Sequence, residues 1–168
     1  MQFSVDDKVV HPRHGAGRIT GIQQRQVVNE ARHYFVIEIP AQRLTIYVPS
    51  QQMESLGVRL AMPLAKMGFV LDTLRGLPGS LPADHQQRQA VVWEKLDTGL
   101  AIQLAEVVRD LTWYRRQAHL TKKDSEYLSR GRELLAAEMA LAADTGIAEA
   151  NHRIDDALEA GLEALAGS

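Results

Sequence analysis

Up to about residue 50, apolar and polar positions alternate in short runs with the two-residue period of half-buried strands, and β-branched residues fill many of the apolar positions. The pattern predicts strands over 8–11, 17–24, 33–39 and 44–48. Gly15 and Gly17 flank the first turn, Asn29-Glu30-Ala31-Arg32 can close a hairpin, and Pro40-Ala41-Gln42 punctuates the next connection. Gly21, inside its strand, predicts a bulge or sharp bend. Short antiparallel strands without an intervening helix must curl to bury their apolar face, so a small SH3-like or Tudor-like antiparallel barrel is expected.

From Pro63 the period becomes helical. A first helix is expected over 64–74, ended by the Gly76 to Pro82 stretch, which reads as a linker or long loop. Asp84 can cap a second helix running to about Thr98, where Gly99 stops it, and Leu104, Val107, Val108 and Leu111 stripe a third. Thr121-Lys122-Lys123-Asp124 is a capping-box variant opening a fourth helix through Leu128, Leu135, Met139 and Ala142, with Gly131 on its stripe permitting close helix approach. Thr145-Gly146 breaks the chain before a last amphipathic helix marked by Ile147, Ile154, Leu158, Gly161 and Leu165. The expectation is an α+β chain of two domains: a β module over 1–60 and an all-α module of about five helices over 61–168.

Composition narrows the class. A hydrophobic content of 45% suits a packed globular protein. No apolar run is long enough to span a bilayer, and the start Met1-Gln2-Phe3-Ser4-Val5-Asp6-Asp7 lacks the basic and apolar regions of a secretion signal, so a cytoplasmic protein without a membrane partner is expected. The absence of cysteine excludes disulfides and thiolate metal sites. The net charge of −2 conceals an asymmetry: residues 61–132 hold eleven Lys/Arg against eight Asp/Glu, and residues 133–168 hold one against eight. Any DNA contact should therefore come from the stretch between Asp84 and Arg132, with the acidic tail turned away from phosphates.

Catalysis has no candidate. No nucleophile elbow, P-loop or dinucleotide fingerprint occurs. His11 and His14 are separated by a proline that prevents a regular helix through both, and no third ligand has a recognised spacing nearby, so neither a metal nor another cofactor is expected. Asp6-Asp7 and Asp155-Asp156 are adjacent pairs whose side chains diverge, which suits solvated faces.

Two heptads about ninety residues apart carry a family resemblance: Val9-Val10-His11-Pro12-Arg13-His14-Gly15 and Ala105-Glu106-Val107-Val108-Arg109-Asp110-Leu111, with Leu44-Thr45-Ile46-Tyr47-Val48-Pro49 and Gly57-Val58-Arg59 between them. In this order and spacing the chain resembles the CarD/CdnL family of bacterial RNA polymerase-binding transcription regulators, from Phe3 to about Leu158. The resemblance implies that residues 1 to about 60 form an RNA polymerase interaction domain like that of transcription-repair coupling factor, docking on the polymerase β subunit. It also implies action at promoter open complexes, often those of ribosomal RNA promoters, and a place on the nucleoid through polymerase.

Arg25 matches a basic position that the family uses against polymerase, whereas the second such position is Tyr47 here, a departure. Alternation independently predicts that Thr45 and Tyr47 share the outer face of their strand while Leu44, Ile46 and Val48 share the inner one; with Arg25 and Arg43 they make up the expected polymerase-binding set. The family's helical domain contacts the DNA minor groove at the upstream edge of the bubble through a tryptophan wedge followed by basic residues. Anchored on Glu94-Lys95-Leu96, the comparison puts His85 at the wedge. A weak DNA-contacting set remains: His85, Arg88, Lys122, Lys123, Arg130 and Arg132. Trp93 is expected in the core. Trp113, on the polar side of its helix, is expected either to pack as cover, with cation–π partners or over the domain junction, or to contact polymerase or a sigma factor. The alternative to a promoter regulator is a polymerase-bound adaptor, or a competitor of a standard paralogue, without productive DNA contact.

Overall fold

The structure is a computed structural model, and it describes residues 2–167. The chain divides into two compact units, residues 1–61 and 62–168.

The first unit is a five-stranded antiparallel sheet of order β4-β3-β2-β1-β5, built from β1 (Lys8–His11), β2 (Gly15–Val27), β3 (Glu30–Ile39), β4 (Leu44–Pro49) and β5 (Arg59–Leu60). Its inward positions, Val9, Ile19, Phe35, Ile37, Ile39 and Val48, close over Phe3, Met53 and Val58. Edge strands β4 and β5 do not pair, so the SH3-like sheet stays open as a curl. β5 has only two residues, too few to bridge the gap. The register slips between Ile19 and Gly21, which places a bulge where the glycine predicted one. β2 and β3 run longer than their apolar pattern, because they are joined by the two-residue turn Val28-Asn29, with φ of 38° and 65°, directly after the Val27–Glu30 pair. Both turn residues in the left-handed region match the twist of paired strands, so the hairpin closes tighter than the Asn29 to Arg32 expectation.

The first heptad proves to be the β1–β2 connection. Val9 and Val10 are buried, and Nδ1 of His11 accepts hydrogen bonds from the backbone N–H of Arg13 (3.1 Å) and His14 (3.4 Å). Gly15 then takes φ 87°, a conformation costly for any side chain. Partial burial, followed by the neighbouring His14 and Arg13, holds the His11 pKa below its ordinary value, so the ring is neutral and its Nδ1 free to accept.

The second unit packs α1 (Met67–Arg75), α2 (His85–Thr98), α3 (Ala101–Gln117), α4 (Lys122–Ala143) and α5 (Ile147–Ala166) around one core. Helix ends follow the expected chemistry. Asp84 accepts from Gln87 N–H at 2.9 Å, Gly99 stops α2 at φ 65°, and Thr121 and Asp124 complete both arms of a capping box. A turn of 3₁₀ helix over Leu64–Lys66 precedes α1. Close helix approach falls at Gly161 more than at Gly131: a Cβ on Gly161 would sit 2.8 Å from the Arg75 carbonyl oxygen, while one on Gly131 would touch only side chains, at 3.4 Å or beyond. The second heptad is the buried centre of α3. Its Asp110 accepts from Gly79 N–H at 2.8 Å and from Arg109 Nε at 2.8 Å, and Arg109 reaches the Thr73 carbonyl, so one acid pins the glycine-rich loop to the bundle.

Candidate functional site

In the sheet, strand parity gathers one exposed face. Gln23 pairs with Tyr34, Arg25 with Arg32, and Tyr47 with Val36, so Arg25, Tyr34, Thr45 and Tyr47 point the same way. The Arg25 guanidinium lies 4.3 Å from the Tyr47 ring centroid and 5.7 Å from that of Tyr34, and donates to Gln23 Oε1 at 3.2 and 3.3 Å. No carboxylate neutralises it among the described residues. The arginine therefore stands as a positive charge held over two tyrosine rings, a geometry that limits its rotamer freedom before any partner arrives. Tyr47 remains 44% exposed. Of the expected polymerase-binding set, Arg25, Thr45 and Tyr47 come together. Arg43 stands outside β4, in the left-handed conformation (φ 51°) that ends the Pro40–Gln42 turn. Tyr34 escaped the sequence reading, although its i, i+2 relation to Val36 on the same strand was available.

In the helical unit the expected DNA set breaks apart. His85 is exposed at the first position of α2, and Lys122 and Lys123 are exposed at the first turn of α4. Arg88 corrects the expectation: it is only 2% exposed, and its Nη2 lies 2.7 Å from Asp124 Oδ2. Its Nε also reaches both Asp124 oxygens, while Nη1 donates to the carbonyls of Pro82 and Ala83 and to the Tyr114 hydroxyl. All three guanidinium nitrogens donate inside the protein, so Arg88 is a clasp between α2 and α4 and not a phosphate contact. Hydrogen bonding to Asp124 raises the Arg88 pKa. Burial alone would push the Asp124 carboxyl up, but hydrogen bonds from Arg88 and Thr121 outweigh it and hold the pKa below the ordinary value. Arg132 is likewise committed, with Nη2 2.6 Å from Asp155 Oδ1 and Nε 3.1 Å from Asn151 Oδ1, tying α4 to α5. Arg130 is half-buried on α4.

Of the two tryptophans, Trp93 departs from its expected place in the core. Trp93 is 52% exposed, because in the apolar run Val91-Val92-Trp93 it is Val92 that turns inward, one turn before Leu96. Periodicity cannot choose among three consecutive apolar residues. Trp113 is half-buried against a crevice formed with Leu74, Pro78, Leu158, Gly161, Leu162 and Leu165. It thus covers the meeting of α1, α3 and α5 within the bundle. Trp113→Ala should lower the bundle's stability by about 2 kcal/mol, and the melting temperature by several degrees, with polymerase binding intact at permissive temperature. An unchanged melting temperature with lost binding would reverse the assignment.

The sheet thus presents an aromatic-backed cation, while Arg88, Arg109 and Arg132 of the bundle staple its helices and loops. Among the described residues no group of three His, Asp or Glu is placed to hold a metal ion, and no helix is long and apolar enough to cross a membrane. Residues 3–60 match the CarD-like/TRCF RID domain and residues 69–155 match the CarD C-terminal domain. The chain belongs to the CarD family of transcription regulators, whose N-terminal module is an RNA polymerase interaction domain. It is 26% identical over 137 residues to the putative transcription factor YdeB of Bacillus subtilis, an alignment covering 82% of this chain and 90% of that protein. Among solved structures, the N-terminal domain of Myxococcus xanthus CarD shares 25% identity, covers 35% of this chain and 79% of its own, and superposes with a TM-score of 0.31.

Proposed function

We propose that this regulator docks on the polymerase β subunit through the exposed face of β2, β3 and β4, and modulates promoter open complexes through the α2 and α4 end of its helical module with a weakened DNA contact. The observation that carries the docking half is the Arg25 guanidinium held over the Tyr47 ring without a carboxylate partner among the described residues, a preorganised cation on an exposed sheet face. The weakened DNA half is supported by His85 at the wedge position and by the burial of Arg88, which leave Lys122 and Lys123 as the exposed cations of the set. Few phosphates are neutralised, so the protein alone should bind duplex DNA barely at all near physiological salt, with a shallow salt slope.

The test measures two quantities on one promoter: affinity of the full chain for an isolated β lobe, and open-complex lifetime under competitor challenge. His85→Trp should lengthen that lifetime by up to roughly tenfold if about 1.4 kcal/mol is regained in the melted state and not in the barrier state. Gln87→Trp, at another exposed position in the first turn of α2, controls for simple addition of an aromatic. A wild type that already prolongs the lifetime strongly, and loses this with His85→Ala, would make the histidine itself the working contact.

A second reading is favoured by the same burial of Arg88 and pairing of Arg132. A polymerase-bound adaptor or competitor without productive DNA contact would bind the β lobe equally well, but would leave open-complex lifetimes unchanged in wild type and in His85→Trp alike.

A further inference from the structure

The flank of α2 beside α4 carries an aromatic pair outside the docking face, Trp93 and Tyr127, of which Tyr127 packs in part against the helical core. Trp93, 52% exposed, lies with its ring centroid 6.3 Å from that of half-buried Tyr127, the planes tilted by 32°. Lys123 Nζ sits 5.6 Å from the Tyr127 ring centroid. One turn before Trp93, Gln89 is anchored by its Nε2 to Thr121 Oγ1 at 3.1 Å, and Gln86 lies exposed a turn further on. Neither Lys122 nor Lys123 has a carboxylate partner among the described residues.

A lone surface tryptophan needs no explanation. Here the tryptophan shares its flank with a second ring, a lysine and two amides. Two neighbouring rings with an adjacent lysine match both things a single strand offers: an unstacked base with its π-face free, and a phosphate next to it. The amides of Gln86 and Gln89 add neutral donors and acceptors of the kind that meet base edges. Glu94 follows Trp93 and Glu126 precedes Tyr127, so the phosphate contact falls to Lys122 and Lys123 in the first turn of α4. A closed duplex presents no free base face to such a platform.

We propose that Trp93 and Tyr127 form a stacking site for an unpaired base of single-stranded DNA, with Lys123 on the neighbouring phosphate. The proposal rests on the reading that this module works at melted promoter DNA, and it moves the aromatic contact from the first turn of α2 to its middle.

The full chain carrying Trp113→Phe leaves Trp93 as the single tryptophan, so its fluorescence reports stacking directly. Titration with a twelve-nucleotide oligothymidylate at low salt should quench it with a dissociation constant on the order of 0.1 mM, and a duplex of equal length should bind at least about fivefold more weakly. Tyr127→Ala and Trp93→Ala, the latter followed by anisotropy of labelled oligonucleotide, should each weaken binding roughly five- to a hundredfold. Both variants should keep the helical circular dichroism, since Trp93 is exposed and Tyr127 sits at the core's edge. Absence of quenching, or equal quenching by single strand and duplex, overturns the proposal. So does a loss of affinity for DNA-free polymerase in Trp93→Ala, which would make the cluster a protein contact. If the wild type does not bind polymerase at all, the regulator reading fails while the oligonucleotide result stands or falls by itself.

Discussion

Asp124→Ala is expected to lower the stability of the helical module by about 3–5 kcal/mol, the cost of stranding one member of a buried, hydrogen-bonded ion pair. The Arg88 guanidinium would remain beneath α2 with its charge uncompensated, because the carbonyls of Pro82 and Ala83 accept hydrogen bonds without neutralising it. The Asp124 carboxylate also accepts from Thr121 N–H at 2.9 Å, so the same change removes one arm of the α4 capping box. Arg88→Lys should cost nearly as much as removal, since an ammonium cannot bind both carboxylate oxygens and two carbonyls at once. Replacing both partners together, as Arg88→Met with Asp124→Leu, should cost less than the sum of the single changes, because no orphan charge is left. Urea unfolding followed by circular dichroism reads each value; a loss for Asp124→Ala below about 1 kcal/mol would show that the pair contributes little to the fold. The pH dependence follows from the same carboxyl. Its folded pKa lies below its ordinary 3.8, so the folded state holds the proton less tightly than the unfolded one. This stabilisation is complete above pH 3.8 and is lost as pH falls through the lower folded value; Asp124→Asn should remove that part of the acid sensitivity.

Scaffold was far more legible than surface. Both heptads that mark the chain encode backbone geometry: His11 and Gly15 shape a turn, and Val107, Val108 and Asp110 fix the centre of α3 and the loop before α2. Such residues stand out because a buried position or a left-handed φ admits few alternatives. Caps were legible for the same reason, Asp84, Gly99 and Thr121 each meeting a local requirement that one residue satisfies. The exposed faces impose no such requirement. Arg88 read as a free cation because a basic residue in a basic stretch looks solvated, and nothing local announces that Asp124, on another helix, lies 2.7 Å away. Trp93 read as core because hydrophobicity is a property of the residue, whereas exposure depends on which of three neighbours the helix turns inward. Tyr34 was missed although its strand was found, since a ring opposite Gln23 acquires meaning only once β4 brings Tyr47 alongside and Arg25 lies across both.

Arg25→Glu is expected to weaken the full chain's affinity for an isolated polymerase β lobe by about thirtyfold or more, the scale of a central contact worth about 2 kcal/mol. The argument is one of preorganisation followed by complementarity. In the free protein the guanidinium is already held over Tyr47 and tethered to Gln23, so little side-chain entropy remains to be lost on docking. Reversing the charge would remove the cation–π contact and present a carboxylate where a cation is matched, which raises dissociation and slows encounter together. Because the side chain is exposed, the fold should be nearly indifferent, with a stability change within about 0.5–1 kcal/mol for the lost cation–π contact. Arg25→Lys should fall between wild type and Arg25→Glu, keeping charge while losing the planar stack, and Tyr47→Phe should bind nearly as wild type if the ring, not the hydroxyl, is what supports the arginine. Arg153→Glu, on α5, changes net charge by the same amount and supplies the control for long-range steering. Calorimetric titration of the four variants decides the matter: equal affinity for wild type and Arg25→Glu would remove Arg25 from the interface, and a matching loss in Arg153→Glu would reduce its role to net charge alone.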